Sequence, residues 1–248
     1  MQASISCSHL SMCCNGTKLL DDITLSIPRG ITALLGESGS GKSALLRAVA
    51  GIDLPCSGTL EVFGNSVFTL RKQKRLRTLI GYASESGCFA PNLRVEQNLL
   101  YAARLHGIRG KAARARVIDV IQQFSLQPYY AVRARDLSGG FQKRLDLAMA
   151  YIHIPQVLLL DEPFAGIDSI NRNYVAEQIR LISRASSVVF TWHGPRTVWE
   201  LADYIVVLIG GVVGAAGTPA ELYAKTGCNT PQSVYDAIAA QTLAAYLS

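Results

Sequence analysis

The run Ile31-Thr-Ala-Leu-Leu35, followed without a break by Gly36-Glu37-Ser38-Gly39-Ser40-Gly41-Lys42-Ser43-Ala44, decides the fold. Five nearly uninterrupted apolar residues read as a strand buried on both faces of a parallel sheet. The residues from Gly36 to Ser43 fit G-x-x-x-x-G-K-[ST] in full, and residues 44–50 favour a helix. Glycines let successive backbone N–H groups turn inward on phosphate oxygens without a Cβ in the way. Lys42 is then placed for the β- and γ-phosphates, and the Ser43 hydroxyl for Mg²⁺. The N-terminus of the following helix adds the positive end of its dipole. A glycine-rich turn carrying a surface lysine would satisfy the four fixed positions by accident in on the order of one chain in a hundred. The strand before and the helix after set that alternative aside, and residues from Gly36 to Ala44 are the expected phosphate cradle.

A second buried strand ends in acid: Val157-Leu-Leu-Leu160 runs into Asp161 and Glu162. Ligands of parallel sheets sit at the carboxyl edge of the strands. Asp161 is placed to hold Mg²⁺, and Glu162 to polarise a water for attack on the γ-phosphate.

Working outward, residues 4–12, 23–27, 187–191 and 204–208 also read as strands. Ile23, Leu25 and Ile27 alternate with Thr24 and Ser26, the period of a half-buried strand. Residues 93–106, 111–124 and 171–184 carry apolar side chains at helical spacing. Strands alternating with helices predict an α/β framework with a mainly parallel sheet, and the stretch from residue 83 to 152 predicts a helical insertion.

The 248-residue chain is 49% hydrophobic and 17% charged, enough apolar mass for one sizeable domain. The longest late apolar stretch, from Tyr204 to Ala216, is thirteen residues broken by glycines, too short to span a bilayer. No signal peptide opens the sequence, so a cytosolic location is expected. Six cysteines without metal-ligand spacing are then expected to be reduced. Net charge is +6, densest from Arg71 to Arg77, but no aromatic residue interleaves that segment. It reads as a solvated helix face, and no nucleic-acid partner is expected.

Leu137-Ser138-Gly139-Gly140-Phe141-Gln142-Lys143-Arg144 precedes the acidic strand. With it the chain resembles, from about Ser4 to Leu222, the ATPase domains of ATP-binding-cassette (ABC) transporters, whose motifs occur here in the family's order. The resemblance implies a P-loop NTPase core over residues 1–82 and 153–248 that includes an N-terminal antiparallel β subdomain. It implies a helical, signature-bearing subdomain over residues 83–152. It implies ATP and Mg²⁺ as ligands, and a second ATPase domain, identical or not, whose ATP meets Ser138, Gly139 and Gly140. His193 falls at the switch histidine that contacts the γ-phosphate, and the stretch from Ala165 to Asp168 at the loop touching across the dimer. Separate membrane subunits are implied, with the chain peripheral on the cytoplasmic face. Residues 91–99 and 103–107 look like the exporter-type subfamily.

Departures stand beside the matches. Glu85 holds the place of a glutamine that links Mg²⁺ to the membrane partner, so it is a candidate metal ligand that brings an extra negative charge. Cys14 stands where an aromatic residue stacks on adenine, and Gly194 follows the switch histidine where an acid is common. Three rival readings fit less well, one of them a degenerate regulatory cassette suggested by Cys14 and Glu85, against which the intact Lys42, Asp161 and Glu162 stand. Translation factors of the superfamily resemble tandem cassettes, whereas this chain has one phosphate loop; chromosome-maintenance ATPases carry coiled-coil heptads or zinc cysteines.

Overall fold

In the computed structural model, which describes residues 3–247, β1 (Ala3–Cys14) and β2 (Thr17–Pro28) form an antiparallel hairpin. Asn15 and Gly16 make its turn, both with positive φ, as a two-residue hairpin loop requires. Next come β3 (Ile31–Leu35), α1 (Lys42–Val49), β4 (Ser57–Val62) and the short β5 (Asn65–Ser66). The first sheet has the order β2-β1-β4-β5 and is antiparallel throughout, the N-terminal β subdomain expected from the resemblance.

After α2 (Val67–Lys72) and α3 (Leu76–Leu79), β6 (Ile80–Ala83) leads into three helices, α4 (Val95–Leu105), α5 (Gly110–Gln123) and α6 (Gly139–Tyr151). Then β7 (Val157–Leu160), α7 (Ser169–Ser183), β8 (Ser187–Trp192), α8 (Pro195–Leu201), β9 (Tyr204–Ile209) and β10 (Val212–Gly217) follow. The last described elements are α9 (Pro219–Thr226) and α10 (Pro231–Leu247). The second sheet runs β10-β9-β3-β8-β7-β6, parallel except for β10. Among the described residues no helix is long and apolar enough to cross a membrane.

Alternation along the parallel strands divides the core in two. Leu158, Leu160, Val188, Phe190 and Val207 face the helical side, with Val117, Phe124 and Leu145. Leu34, Leu159, Val189 and Val206 face α1 and the antiparallel sheet. Register places the functional ends together: Leu35 pairs with Trp192, and Leu160 with Phe190. The residues that follow β3, β7 and β8 therefore emerge at one edge of the sheet.

Two sequence expectations need comment. The segment from Arg71 to Arg77 buries Leu76 and exposes its cations, as a solvated face should. The cysteines are not all reduced: Cys13 and Cys56 form a disulfide. The antiparallel pairing of β1 with β4 sets Ser11 opposite Ser57, and Cys56 N–H donates to the Ser11 carbonyl at 2.8 Å. A contact across 43 positions arises from strand pairing and leaves no mark in cysteine spacing.

The signature-bearing helix α6 lies directly on β6. A Cβ on Gly81 would collide with the backbone carbonyl of Ala150 and stand 3.0 Å from Pro155 Cγ. Because the obstacle is main chain, Gly81→Ala is expected to destabilise the fold by about 1–3 kcal/mol. A fall in melting temperature of several degrees by circular dichroism checks it; an unchanged melt would mean the helix can lift off β6 at little cost.

Candidate nucleotide-binding site

The phosphate loop is shaped from both sides. Gly39 and Gly41 take φ of 82° and 97°, and a Cβ on Gly41 would strike Leu20 and stand 2.7 Å from the Leu19 carbonyl. Lys42 is buried, and its Nζ donates to the carbonyls of Gly36 and Glu37 at 2.8 Å each. Burial lowers its pKa, against the opposing pull of Glu162, Asp161, Glu37 and Glu85.

One carboxylate oxygen joins the start of α1 to the ends of β7 and β8. Asp161 Oδ1 accepts from Ser43 Oγ at 2.9 Å and from Thr191 Oγ1 at 2.7 Å. Thr191 Oγ1 in turn accepts the Glu162 backbone N–H at 2.7 Å. That bond accompanies a left-handed backbone at Glu162, φ 47°, which turns its side chain away from the strand's own alternation. Glu162 Oε2 lies 3.4 Å from His193 Nδ1. Burial raises the Glu162 pKa, while His193 and Lys42 hold it down. A cleft of about 440 Å³ collects Lys42, Ser43, Glu85, Glu162, Ala165 and His193.

Ser138, Gly139 and Gly140 are not in that cleft. They open α6, where Ser138 sits at the N-cap without using its side chain as a cap. An ordinary helix-capping serine would do so. Asp168 does cap, accepting Asn171 N–H at 2.8 Å, and a Cβ on Gly140 would strike the Asn171 side chain. Arg144 Nη2 donates to Asn171 Oδ1 at 2.9 Å, fastening the signature to the start of α7.

Residues 20–165 match the model of the ABC transporter family. The chain belongs to that family. It is similar to the daunorubicin resistance ATP-binding protein DrrA3 of Streptomyces coeruleorubidus, 36% identical over 85% of this chain and 66% of that protein. DrrA of Streptomyces peucetius is 33% identical over 91% and 68%. The sulfate/thiosulfate import protein CysA of Gloeobacter violaceus is 36% identical over 82% and 59%. The chain thus spans about two thirds of the length of these relatives or less. A solved ATP-binding subunit of an ABC transporter superposes with a TM-score of 0.83, covering 94% of this chain and 98% of its own, at 22% identity. The dimeric ABC transporter cassette MJ0796 gives 0.78 over 86% and 98%, at 21%. The chain is an ABC ATP-binding subunit with that family's α/β fold.

Within this ABC subunit the residues from the sequence fall into two groups. Gly36 to Ala44, Glu85, Asp161, Glu162 and His193 gather at the carboxyl edge of the sheet, while Ser138, Gly139 and Gly140 stand at a separate helix start, the first two exposed and Gly140 buried. Cys14 is exposed at the end of β1. Three contributors were given no role by the sequence motifs, although Lys143 falls within the signature segment. Thr191 is fully buried beneath the acids; its signal is a hydroxyl near the carboxyl end of an otherwise largely apolar strand. Lys143 Nζ donates to the Glu85 carbonyl at 3.0 Å. Asp146, buried on α6, accepts the Cys88 backbone N–H at 2.9 Å.

Burial pushes the Asp146 carboxyl up to about 6, with the Cys88 and Phe89 amides and Lys143 holding it lower. An acid whose folded pKa exceeds its unfolded value costs stability once ionised. Its contribution therefore falls as pH rises from about 4 through 6, to a penalty on the order of 3 kcal/mol at neutral pH. Asp146→Asn is expected to melt at or above the parent temperature at pH 7.5, with the advantage shrinking toward pH 4. Melting curves of both proteins across that range check it.

Proposed function

We propose that this chain hydrolyses Mg-ATP between its own phosphate loop and the signature of a second ATPase domain, driving transport through separate membrane subunits on the cytoplasmic face. Residues 1–82 and 153–248 serve as the nucleotide-binding core and residues 83–152 as the helical arm that presents Ser138, Gly139 and Gly140 to the partner's ATP. The second domain is another copy or a homologue. The observation that carries the reading is the Asp161 carboxylate shared between Ser43 and Thr191, with Glu162 held beside His193.

The donor set fits the ligands. Gly36 to Ala44 supply amides and Lys42 for the phosphates. Ser43 and Asp161 offer hard oxygen, the chemistry Mg²⁺ selects, and Glu85 lines the same cleft. Among the described residues no three His, Cys, Asp or Glu side chains converge as a metal site by themselves, so the nucleotide's own oxygens would complete the shell. Bound Mg²⁺ would supply charge neutralisation at the phosphate oxygens. Glu162 accepts a hydrogen bond from the attacking water, and its raised pKa makes it a better base than a free glutamate. His193 holds the Glu162 carboxylate and reaches the γ-phosphate; Lys42 neutralises charge on the phosphates. Equal identity to a drug-resistance and an import protein ties the likeness to this shared motor. The resemblance of residues 91–99 and 103–107 to exporter-type subunits supports the export reading over import.

Glu162→Gln is expected to keep ATP binding while turnover drops by ~10²–10⁴-fold, the loss typical of a general base. It should also accumulate an ATP-bound dimer on size-exclusion chromatography. Turnover at the parent rate would remove Glu162 from the mechanism.

Glu85 brings a carboxylate to a cleft meant for phosphate, tolerable when a cation lies between them. Glu85→Gln keeps the volume and removes the charge, so Mg-ATP binding should tighten and depend less on Mg²⁺ concentration. Titrations of ATP at low and high Mg²⁺ compare the two proteins; identical responses would take Glu85 out of the metal's surroundings.

A further inference from the structure

The segment after β6 carries Glu85 into the cleft and then turns back over α6. It has few main-chain bonds of its own: Gly87 N–H donates to the Ser84 carbonyl at 3.2 Å. Its far end is pinned at Ala90 by Asn98 of α4, and its middle is held from the signature helix. Asp146 Oδ1 accepts Cys88 N–H at 2.9 Å, and the next amide, that of Phe89, also helps to hold the carboxyl pKa down. A Cβ on Gly87 would stand 2.7 Å from Asp146 Oδ2, so the backbone lies against the acid itself. One turn earlier on α6, Lys143 reaches the Glu85 carbonyl at 3.0 Å. Asp146 and Lys143 are i and i+3 neighbours on one helix face, and both are turned to the same loop.

We propose that Asp146 is a positioning residue that clamps the Glu85 loop to the signature helix, so that the element facing this chain's own ATP and the element facing the partner's ATP move as one body. A helix that begins at Ser138 and is bonded at its second and third turns to the loop of Glu85 cannot rotate without drawing that loop along. The carboxylate suits the task because one oxygen accepts the Cys88 amide in a charge-assisted bond while the other lies against Gly87. A buried ionised acid with no role in packing is costly, and such groups persist where they serve a site rather than the fold. The kinetic consequence rests on the ATPase reading above; the clamp itself does not.

Two variants and two readouts test it in the full-length chain. Asp146→Ala should speed amide exchange at Cys88 and Phe89 at least tenfold in the nucleotide-free protein. It should lower kcat about tenfold while the Kd for ATP, set by the phosphate loop, changes less than twofold. Asp146→Asn keeps one acceptor and should recover part of the lost kcat while melting no lower than the parent, which a purely structural role would not produce. Unchanged exchange at Cys88 and Phe89 in Asp146→Ala overturns the clamp. So does a kcat loss that Kd and melting temperature follow in proportion. A parent chain that does not hydrolyse ATP would instead overturn the ATPase reading, and the exchange measurement would still decide the clamp.

Discussion

One carboxylate oxygen, Oδ1 of Asp161, is shared by the hydroxyls of Ser43 and Thr191, and the site is built around that sharing. Ser43 belongs to the first turn after the phosphate loop, Asp161 follows β7, and Thr191 lies near the end of β8. The three are brought together by the parallel register of β3, β8 and β7, which aligns their carboxyl ends. Thr191 then passes the constraint on by accepting the Glu162 amide, next to a left-handed backbone. Loss of the Thr191 hydroxyl would leave the Glu162 amide without its partner, at about 1–3 kcal/mol. The geometry of the candidate site is therefore coupled to the centre of the sheet rather than carried on a free loop.

Around that centre the molecule keeps groups that weaken it. Lys42 and Glu162 both lose hydration, and each is moved toward its neutral form by burial. They offset one another only partly, since Asp161, Glu37 and Glu85 also bear on Lys42. Asp146 is a third such group, away from the cleft but on the helix that opens with the signature. By contrast His106 and His153, stacked at 3.6 Å where α4 ends beside the turn before β7, behave as packing. Burial and the neighbouring ring push His153 down to about 4, which keeps it neutral at ordinary pH. Unfavourable ionisation at the site and relieved ionisation elsewhere separate function from fold in this chain.

The parts legible in the sequence are those written within a dozen residues. The strand from Ile31 to Leu35 has the predicted bounds, and the helix after it begins at Lys42, two residues earlier than its apolar pattern suggests. The strand from Val157 to Leu160 also matches, and the helices expected over 93–106 and 111–124 appear at Val95–Leu105 and Gly110–Gln123. Short or glycine-interrupted strands were hidden: β4 opens on Ser57-Gly58-Thr59, and β6 has four residues including a glycine. The Cys13–Cys56 bond was hidden for another reason, since antiparallel pairing makes neighbours of residues that no local spacing connects.

By itself the sequence determined the family and nominated the residues of the candidate site. The phosphate loop, the acid pair, the signature and His193 are specified by residue types whose local backbone and donor sets admit few other uses. It also determined the α/β class, because strand and helix periods alternate along the chain. Tertiary structure alone decided which of these residues meet. Ser43 and Asp161 are 118 positions apart, Thr191 and Asp161 are 30, and Cys88 and Asp146 are 58. No window of sequence contains such pairs. Strand order and register bring the first two together, and the close approach of α6 to β6 at Gly81 brings the third. A hydroxyl in a buried strand and an acid in a helix look ordinary in sequence; they acquire roles only through the partners that packing sets within 3 Å of them.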